Sequence, residues 1–499
     1  MRNFHQPGRS QVYSVNGMVA TSHPIASKVA IDSLQNGGNA VDAALAAALV
    51  LPICEPAMTG LYGDMFALIK LPNSEKIIGL NASGKSPKLL TADALRSKGV
   101  DKINADSPHS ITMPGAIAGF EKLAKDFSNL GLAAACEPAI NYAEEGIPVA
   151  PRAAFDWEKN ANLLSDVSKG YYLLGGKVPK EGDLFKAPRQ AEVLKKISAF
   201  GMKGFYEGDV ANDIINSLNN LGGYHTHDDL TNVSCEYVTP WSSHYRNVEL
   251  IELPPNGQGA TALLLGNILS NFNLEKFDPL GYQRVHLEAE ASKLAYKVRN
   301  QYLSDINYLP KDFKKILKRP YAKRLANSIN LNDASPNLQS STEEFHLDTV
   351  LLTIVDKNRC AVSLIFSIFH AFGSGHSSEK YGLLFQNRGS GFTLEKNHPN
   401  ELSGGKRPLH TIIPAMVKKN GNLILSYGVM GGQYQPVGHI RILSNLIDYK
   451  KDLQTSIDMP RSFPDSSGLM LEQAYSGPIV SKLEAMGHNI IRPEAPLGG

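Results

Sequence analysis

Cysteine is scarce in this chain: four in 499 residues, at Cys54, Cys136, Cys235 and Cys360, with no C-x-x-C spacing. That excludes a disulfide scaffold, argues against a structural zinc or a dithiol redox pair, and suits a reducing compartment. An excess of one charge is missing too. Lys plus Arg is 50 against 48 for Asp plus Glu, a net of +2, so nothing points to a nucleic-acid partner or an acidic surface. A long apolar run is the third absence. The most apolar stretch, Ala43 to Ile53, is closed by Pro52 and falls well short of the roughly 20 residues that span a bilayer, which predicts a buried helix and no membrane partner. The start, Met1 to Gly8, lacks the apolar region of a secretory signal, giving the expectation of a cytoplasmic protein. Apolar residues make up 42% of the chain and charged ones 20%, a balance that excludes disorder and supplies a sizeable core.

The order of elements is legible at both ends. Gly17 to Thr21 reads as a strand, Ile25 to Gln35 as a helix stopped by Gly37-Gly38, and Asn39 as the cap of a second helix, Ala40 to Val50, apolar on nearly every side. Met65 to Leu71 and Lys76 to Asn81 read as strands joined at Pro72-Asn73. The middle is more helical: Thr226-x-x-Asp229 looks like a capping box, and 281–303 like one long helix. The composition of 305–345 shifts to Asn, Asp, Ser, Lys and Pro, which predicts an exposed linker. Thr349 to Val355 and Cys360 to Phe369 then form a hairpin around Asp356 to Arg359, and 421–430 a strand ending at Gly431-Gly432.

Three patterns could carry chemistry by themselves. Gly79-Leu-Asn-Ala-Ser-Gly84-Lys85-Ser86 matches a phosphate loop letter for letter, but Gly79 to Asn81 finishes a strand, Pro87 follows at once, and no apolar helix stands behind it. His225-x-His227-Asp228-Asp229 could hold a metal, yet polar runs of this kind open helices for capping reasons alone. His370, His376 and His410 are candidate bases whose spacing pairs none of them with a nucleophile. Thr349, at the head of a strand, would not be singled out by spacing.

It stands out through a resemblance carried by many short segments in one order. These are Gly17-Met-Val-Ala-Thr-Ser-His-Pro24, Gly37-Gly-Asn-Ala-Val-Asp-Ala-Ala44, Glu55-Pro56 with Gly60 to Gly63, and Met113 to Gly119. Gly204-Phe-Tyr206, Pro254-Pro-Asn-Gly-Gln-Gly259, Asp348-Thr349, Ala361-Val-Ser363, Phe372 to Gly375, Lys406 to Leu409 and Met430-Gly-Gly432 follow. Over nearly its whole length the chain resembles the γ-glutamyltranspeptidases, which are N-terminal-nucleophile hydrolases. The resemblance implies an α+β fold, a four-layer αββα sandwich. It also implies a proenzyme that cuts itself between Asp348 and Thr349 into a large part, 1–348, and a small part, 349–499, which stay associated; a homodimer of the whole is left open. Thr349 would be the nucleophile, its freed α-amine the base, Gly431 and Gly432 the oxyanion donors, and Ser367 a hydroxyl bonded to the nucleophile. No metal and no cofactor would be required.

The resemblance breaks where the family binds the glutamyl group. The arginine that holds the α-carboxylate corresponds to Ser83, the acid for the α-amine to Gly391, an amide to Arg388, an asparagine to Phe369, and two serines beside the oxyanion hole to His410-Thr411. Losing both charged contacts should cost several kcal/mol of glutathione recognition, at about 1.5–3 kcal/mol per charged hydrogen bond. The segments Gln386-Asn-Arg-Gly389, His410 to Met416 and Gly428 to Gln433 look closer to a γ-glutamyltransferase-like branch to which oxamate amidohydrolase is similar. The expected substrate is a small acidic amide held by Arg388. The chain stops at Leu497-Gly-Gly499, where the family runs on for further strands. An uncleaved, inert relative acting as a binding protein is the alternative.

Overall fold

The computed structural model describes residues 8–337 and 349–499. Ten strands in chain order build its centre: β1 (Gly17–Thr21), β2 (Asp64–Lys70), β3 (Ile77–Ala82), β4 (Glu236–Val238), β5 (Trp241–Tyr245), β6 (Val248–Glu252), β7 (Val350–Asp356), β8 (Ala361–Ser367), β9 (Ala415–Lys419) and β10 (Asn422–Tyr427). They form two antiparallel sheets, ordered β1-β7-β8-β2-β3-β4 and β10-β9-β6-β5. The sheets pack face to face through Phe66, Leu68 and Ile365 on one side and Ile251, Leu253 and Met416 on the other. Thr353 and Ser363 of the first sheet also bond Ser426 and Tyr427 of the second. Strands β2 and β8 lie in the middle with a layer on each face, so they read as apolar runs without alternation and are buried almost end to end.

Helices cover both outer faces. Over the first sheet lie α1 (Pro24–Gln35), α2 (Ala40–Cys54), α3 (Ala116–Phe127), α4 (Gly131–Glu145) and α5 (Pro188–Phe200). Over the second lie α6 (Gly259–Leu269), α7 (Tyr282–Tyr302), α8 (Arg319–Ala326) and α9 (Gln435–Ile447). This is the expected αββα sandwich. Helix α2 is buried at every residue and capped by Asn39 in a reciprocal box with Asp42. The Thr226–Asp229 capping box also forms, and His225 bonds the Ile111 carbonyl at 2.8 Å, so those polar residues serve the local fold. No helix of the described residues is long and apolar enough to cross a membrane.

Three expectations need correction. Helix α2 does not close at Pro52 but runs to Cys54. Proline in the last turn removes one N–H, and the ladder resumes with Glu55 N–H on Leu51 O at 2.8 Å. The stretch from 305 to 326 is no linker: Phe313, Ile316, Ala322 and Ala326 are buried against the second helical layer. Their sparse apolar spacing was masked by the lysines between them. Residues 327–337 are mostly exposed, and 338–348, with Asp348, lie outside the described residues. The last strand ends at Tyr427 rather than near 430, because the chain must bend past β7. A Cβ on Gly428 would sit 2.8 Å from the Leu351 side chain.

Candidate active site

The two sheets bring the candidate residues together by register. In the β7–β8 ladder Val350 faces Phe366, so the next position sets Thr349 opposite Ser367. In the β8–β2 ladder Ser367 faces Asp64. Across the sandwich, Thr353 meets Ser426 and Leu351 meets Gly428. The same step carried on places Thr349 beside Met430, and the two residues line one cavity. Gly431 and Gly432 follow immediately. Thr349 is buried, with 1% of its surface exposed.

The Gly-Gly turn has a conformation open to few residues. Gly431 has φ +119°, and a Cβ there would lie 2.5 Å from the Leu497 carbonyl; Gly432 has φ +53°. Both are in the left-handed region that favours glycine. Among the described residues neither N–H has a protein acceptor. Two adjacent unspent donors beside a hydroxyl are what a developing oxyanion needs.

Residues that the sequence reading passed over hold this turn. Gln258, at the start of α6, donates to Gly432 O at 3.0 Å and to Thr411 O at 2.6 Å. Arg299 of α7 donates to Gln258 Oε1 at 2.9 Å and to Gln433 Oε1 at 3.1 Å. The Tyr296 hydroxyl donates to the Gln433 carbonyl. Only the segment Pro254 to Gly259 hinted at them, and it carried no role. Gln258→Ala is expected to lower kcat about tenfold with KM little changed, because a loosened turn aims its N–H groups poorly. Steady-state kinetics on one substrate checks the split.

Arg388 is fully buried. It donates to Thr411 Oγ1 at 3.0 Å and, more weakly, to Ser367 Oγ at 3.4 Å, and its guanidinium lies 4.0 Å from the centre of the Phe369 ring. Phe369 has φ +83°, a conformation that costs a bulky residue on the order of 1–3 kcal/mol and here seats the ring under the cation. Ser367 Oγ also accepts from Phe369 N–H at 2.8 Å. Thr349, Ser367, Phe369, Arg388 and Thr411 therefore form one group.

Asp64, which the sequence did not flag, anchors the floor. Its Oδ1 accepts from Gly84 N–H, Gly115 N–H and Gln386 Nε2 at 2.9, 3.0 and 3.1 Å. Its Oδ2 receives His410 Nε2 at 3.2 Å. An acid at the head of an apolar strand was the available signal. Gly84 thus belongs to this network, and Gly79 to Ala82 are paired in β3, so the phosphate-loop letters form no cradle. Ser83 is held by Asn81 at 2.7 Å and Asn256 at 3.3 Å, one bond away from His410, whose N–H donates to Asn256 O. Gly391 shares a short helix with Arg388, but its carbonyl is tied to Asn400 at 2.6 Å, and among the described residues no hydrogen bond brings it into the group.

Five histidines are held in their neutral form. Burial, reinforced by Arg388, pushes His410 and His370 down to about 3. Burial lowers His23, His225 and His488 to about 4. A base that weak cannot take a hydroxyl proton at neutral pH. The unfolded chain binds protons at these five positions below about pH 6.5 and the folded one does not, so stability is present above that value and lost as pH falls toward 4. The urea midpoint is expected to be lower at pH 5 than at pH 7.

Against this geometry, the γ-glutamyltranspeptidase family model matches residues 26–499. The chain belongs to the γ-glutamyltranspeptidase family. It is 34% identical over 486 residues to the glutathione hydrolase-like YwrD proenzyme of Bacillus subtilis, covering 96% of this chain and 91% of the relative. It is 31% identical over 494 residues to the oxamate amidohydrolase proenzyme of Klebsiella pneumoniae, covering 96% and 92%. Among solved structures, cephalosporin acylase from Bacillus halodurans superposes with a TM-score of 0.92 at 34% identity, over 100% of this chain and 93% of that one. The protein is thus an enzyme of the N-terminal-nucleophile hydrolase class, a hydrolase or acylase by family.

Proposed function

We propose that this enzyme is an amidohydrolase that matures by cutting its own chain between Asp348 and Thr349 and then uses Thr349 to form an acyl-enzyme from a small acidic amide. The observation that carries the reading is the register: Thr349 lies opposite Ser367 and beside the Met430-Gly431-Gly432 turn. A threonine hydroxyl needs a base, and the histidines around it are too weak. The α-amine freed at Thr349, with a reference pKa of about 7.7–8.0, is close enough to take that proton directly or through one water.

In the acylation step Oγ of Thr349 bonds to the amide carbon and its proton passes to the α-amine. The carbonyl oxygen takes up charge facing Gly431 and Gly432 N–H. The C–N bond then breaks as the amine returns the proton to the leaving nitrogen. Water, or another amine, repeats the sequence on the ester and restores the hydroxyl. In self-cleavage the same hydroxyl attacks the carbonyl of residue 348, the C–N bond to Thr349 breaks and frees the α-amine, and water then hydrolyses the ester so formed. Specificity for an acidic amide would come from Arg388, whose guanidinium carries the charge and the paired donors that a substrate carboxylate takes. The oxamate amidohydrolase relative supports that choice over glutathione.

Intact-mass analysis of the purified protein, with ammonia release from oxamate-like amides beside γ-glutamyl ones, tests this. Two fragments parted ahead of residue 349 and release from the acidic amides are expected. One unbroken inactive chain would support the binding-protein alternative instead.

A further inference from the structure

A cavity of about 360 Å³ opens beside Thr349 and is lined by Ser22, His23, Glu55, Arg152, Asp156 and Met430. It lies on the far side of the nucleophile from Arg388. Strand β7 has two neighbours: β8, which ends in Ser367 and meets Arg388, and β1, whose ladder ends at Thr21 opposite Leu352 and runs on into Ser22 and His23. The acyl group belongs on the Arg388 side. What enters this cavity therefore lies on the nitrogen side of the scissile amide.

The side chains on the cavity wall include three carboxylates, Glu55, Asp156 and Asp458, against two guanidiniums, Arg9 and Arg152. Glu55 and Asp156 are both buried. Arg152 gives its Nε to both oxygens of Asp156, at 3.0 and 2.8 Å. Glu55 Oε2 accepts the Ser22 hydroxyl, and among the described residues Oε1 has no partner. Burial holds the Glu55 carboxyl up to about 7; the Ser22 hydroxyl and the Arg152 charge pull it down, and Asp156 pushes it up. His23 adds a donor: its Nδ1 accepts Ile25 N–H at 3.2 Å, so Nε2 carries the proton, and Nε2 has no acceptor although the residue is 4% exposed. An acceptor short of a cation and an N–H short of an acceptor stand together. They complement a ligand with an ammonium group and a carbonyl oxygen.

We infer that Glu55 is a specificity-determining residue that binds a cationic amine on the leaving-group side of the substrate, with His23 Nε2 donating to that group's carbonyl. The inference rests on Thr349 being the nucleophile and on Arg388 holding the acyl group. It gives this site a preference that Arg388 cannot supply, since the two stand on opposite flanks of the nucleophile. An amide whose leaving amine carries a second, protonated amine should be favoured over the primary amide of the same acid.

The test compares those two substrates in the cleaved enzyme. In Glu55→Gln the ratio of their kcat/KM values is expected to fall about tenfold or more, the size of one charged hydrogen bond, through KM rather than kcat. An unchanged ratio, or a fall in kcat alone, overturns the assignment. Should the variant fail to fold, 1,2-diaminoethane is used on the wild type. Competitive inhibition that weakens with added salt and is absent with 1,2-ethanediol is expected; no inhibition, or equal inhibition by both, overturns it. Failure of the nucleophile assignment would show separately, as activity surviving in Thr349→Ala.

Discussion

Thr349→Ala is expected to purify as one unbroken chain and to lose at least about 10⁴-fold in turnover, the scale seen when a covalent nucleophile is removed. Both losses have one cause. The methyl side chain cannot attack the carbonyl ahead of it, so the amine that should act as base is never released. Thr349→Ser keeps the oxygen and should yield two fragments, with slower turnover because the hydroxyl loses the β-branch that restricts χ1. Denaturing electrophoresis reads the first effect and ammonia release the second. Hydrolysis of amides by an intact chain, or by the alanine variant, would remove the mechanism altogether, since no histidine among the described residues of the site is basic enough to replace it.

Much of this fold is legible in the sequence alone. The flanking strands, the wholly apolar helix, its Asn39 cap and the late hairpin follow from period, capping residues and turn chemistry, which are local. Thr349 came from resemblance, because a β-branched residue opening a strand carries no signal of its own. What stayed hidden is long-range. Asp64 collects bonds from residues 84, 115, 386 and 410, and Gln258 with Arg299 braces a turn more than a hundred residues later. Such networks are set by which strands become neighbours, and spacing does not encode that. The misread stretch from 305 to 326 has the same origin, since a few buried apolar residues under a polar composition only make sense once a second helical layer exists to receive them.

Arg388→Ala is expected to raise KM for carboxylate-bearing amides by about 100-fold or more, while amides of similar size without the carboxylate change far less. Two charge-assisted bonds from one guanidinium are together worth about 3–6 kcal/mol, and the ring of Phe369 lies 4.0 Å from it. Arg388→Lys should recover only part of that affinity, because an ammonium keeps the charge but not the planar pair of donors. The comparison separates substrate binding from a purely structural role. A guanidinium that merely tied Ser367 to Thr411 would, when lost, impair acidic and neutral amides alike and would do so in kcat. A selective rise in KM requires that the substrate's own negative charge meet the arginine, and with Ser367 between Arg388 and the nucleophile, that charge lies within a few atoms of the carbonyl under attack. Short acidic amides satisfy this spacing, whereas a γ-glutamyl group carries its carboxylate further from the reacting carbon.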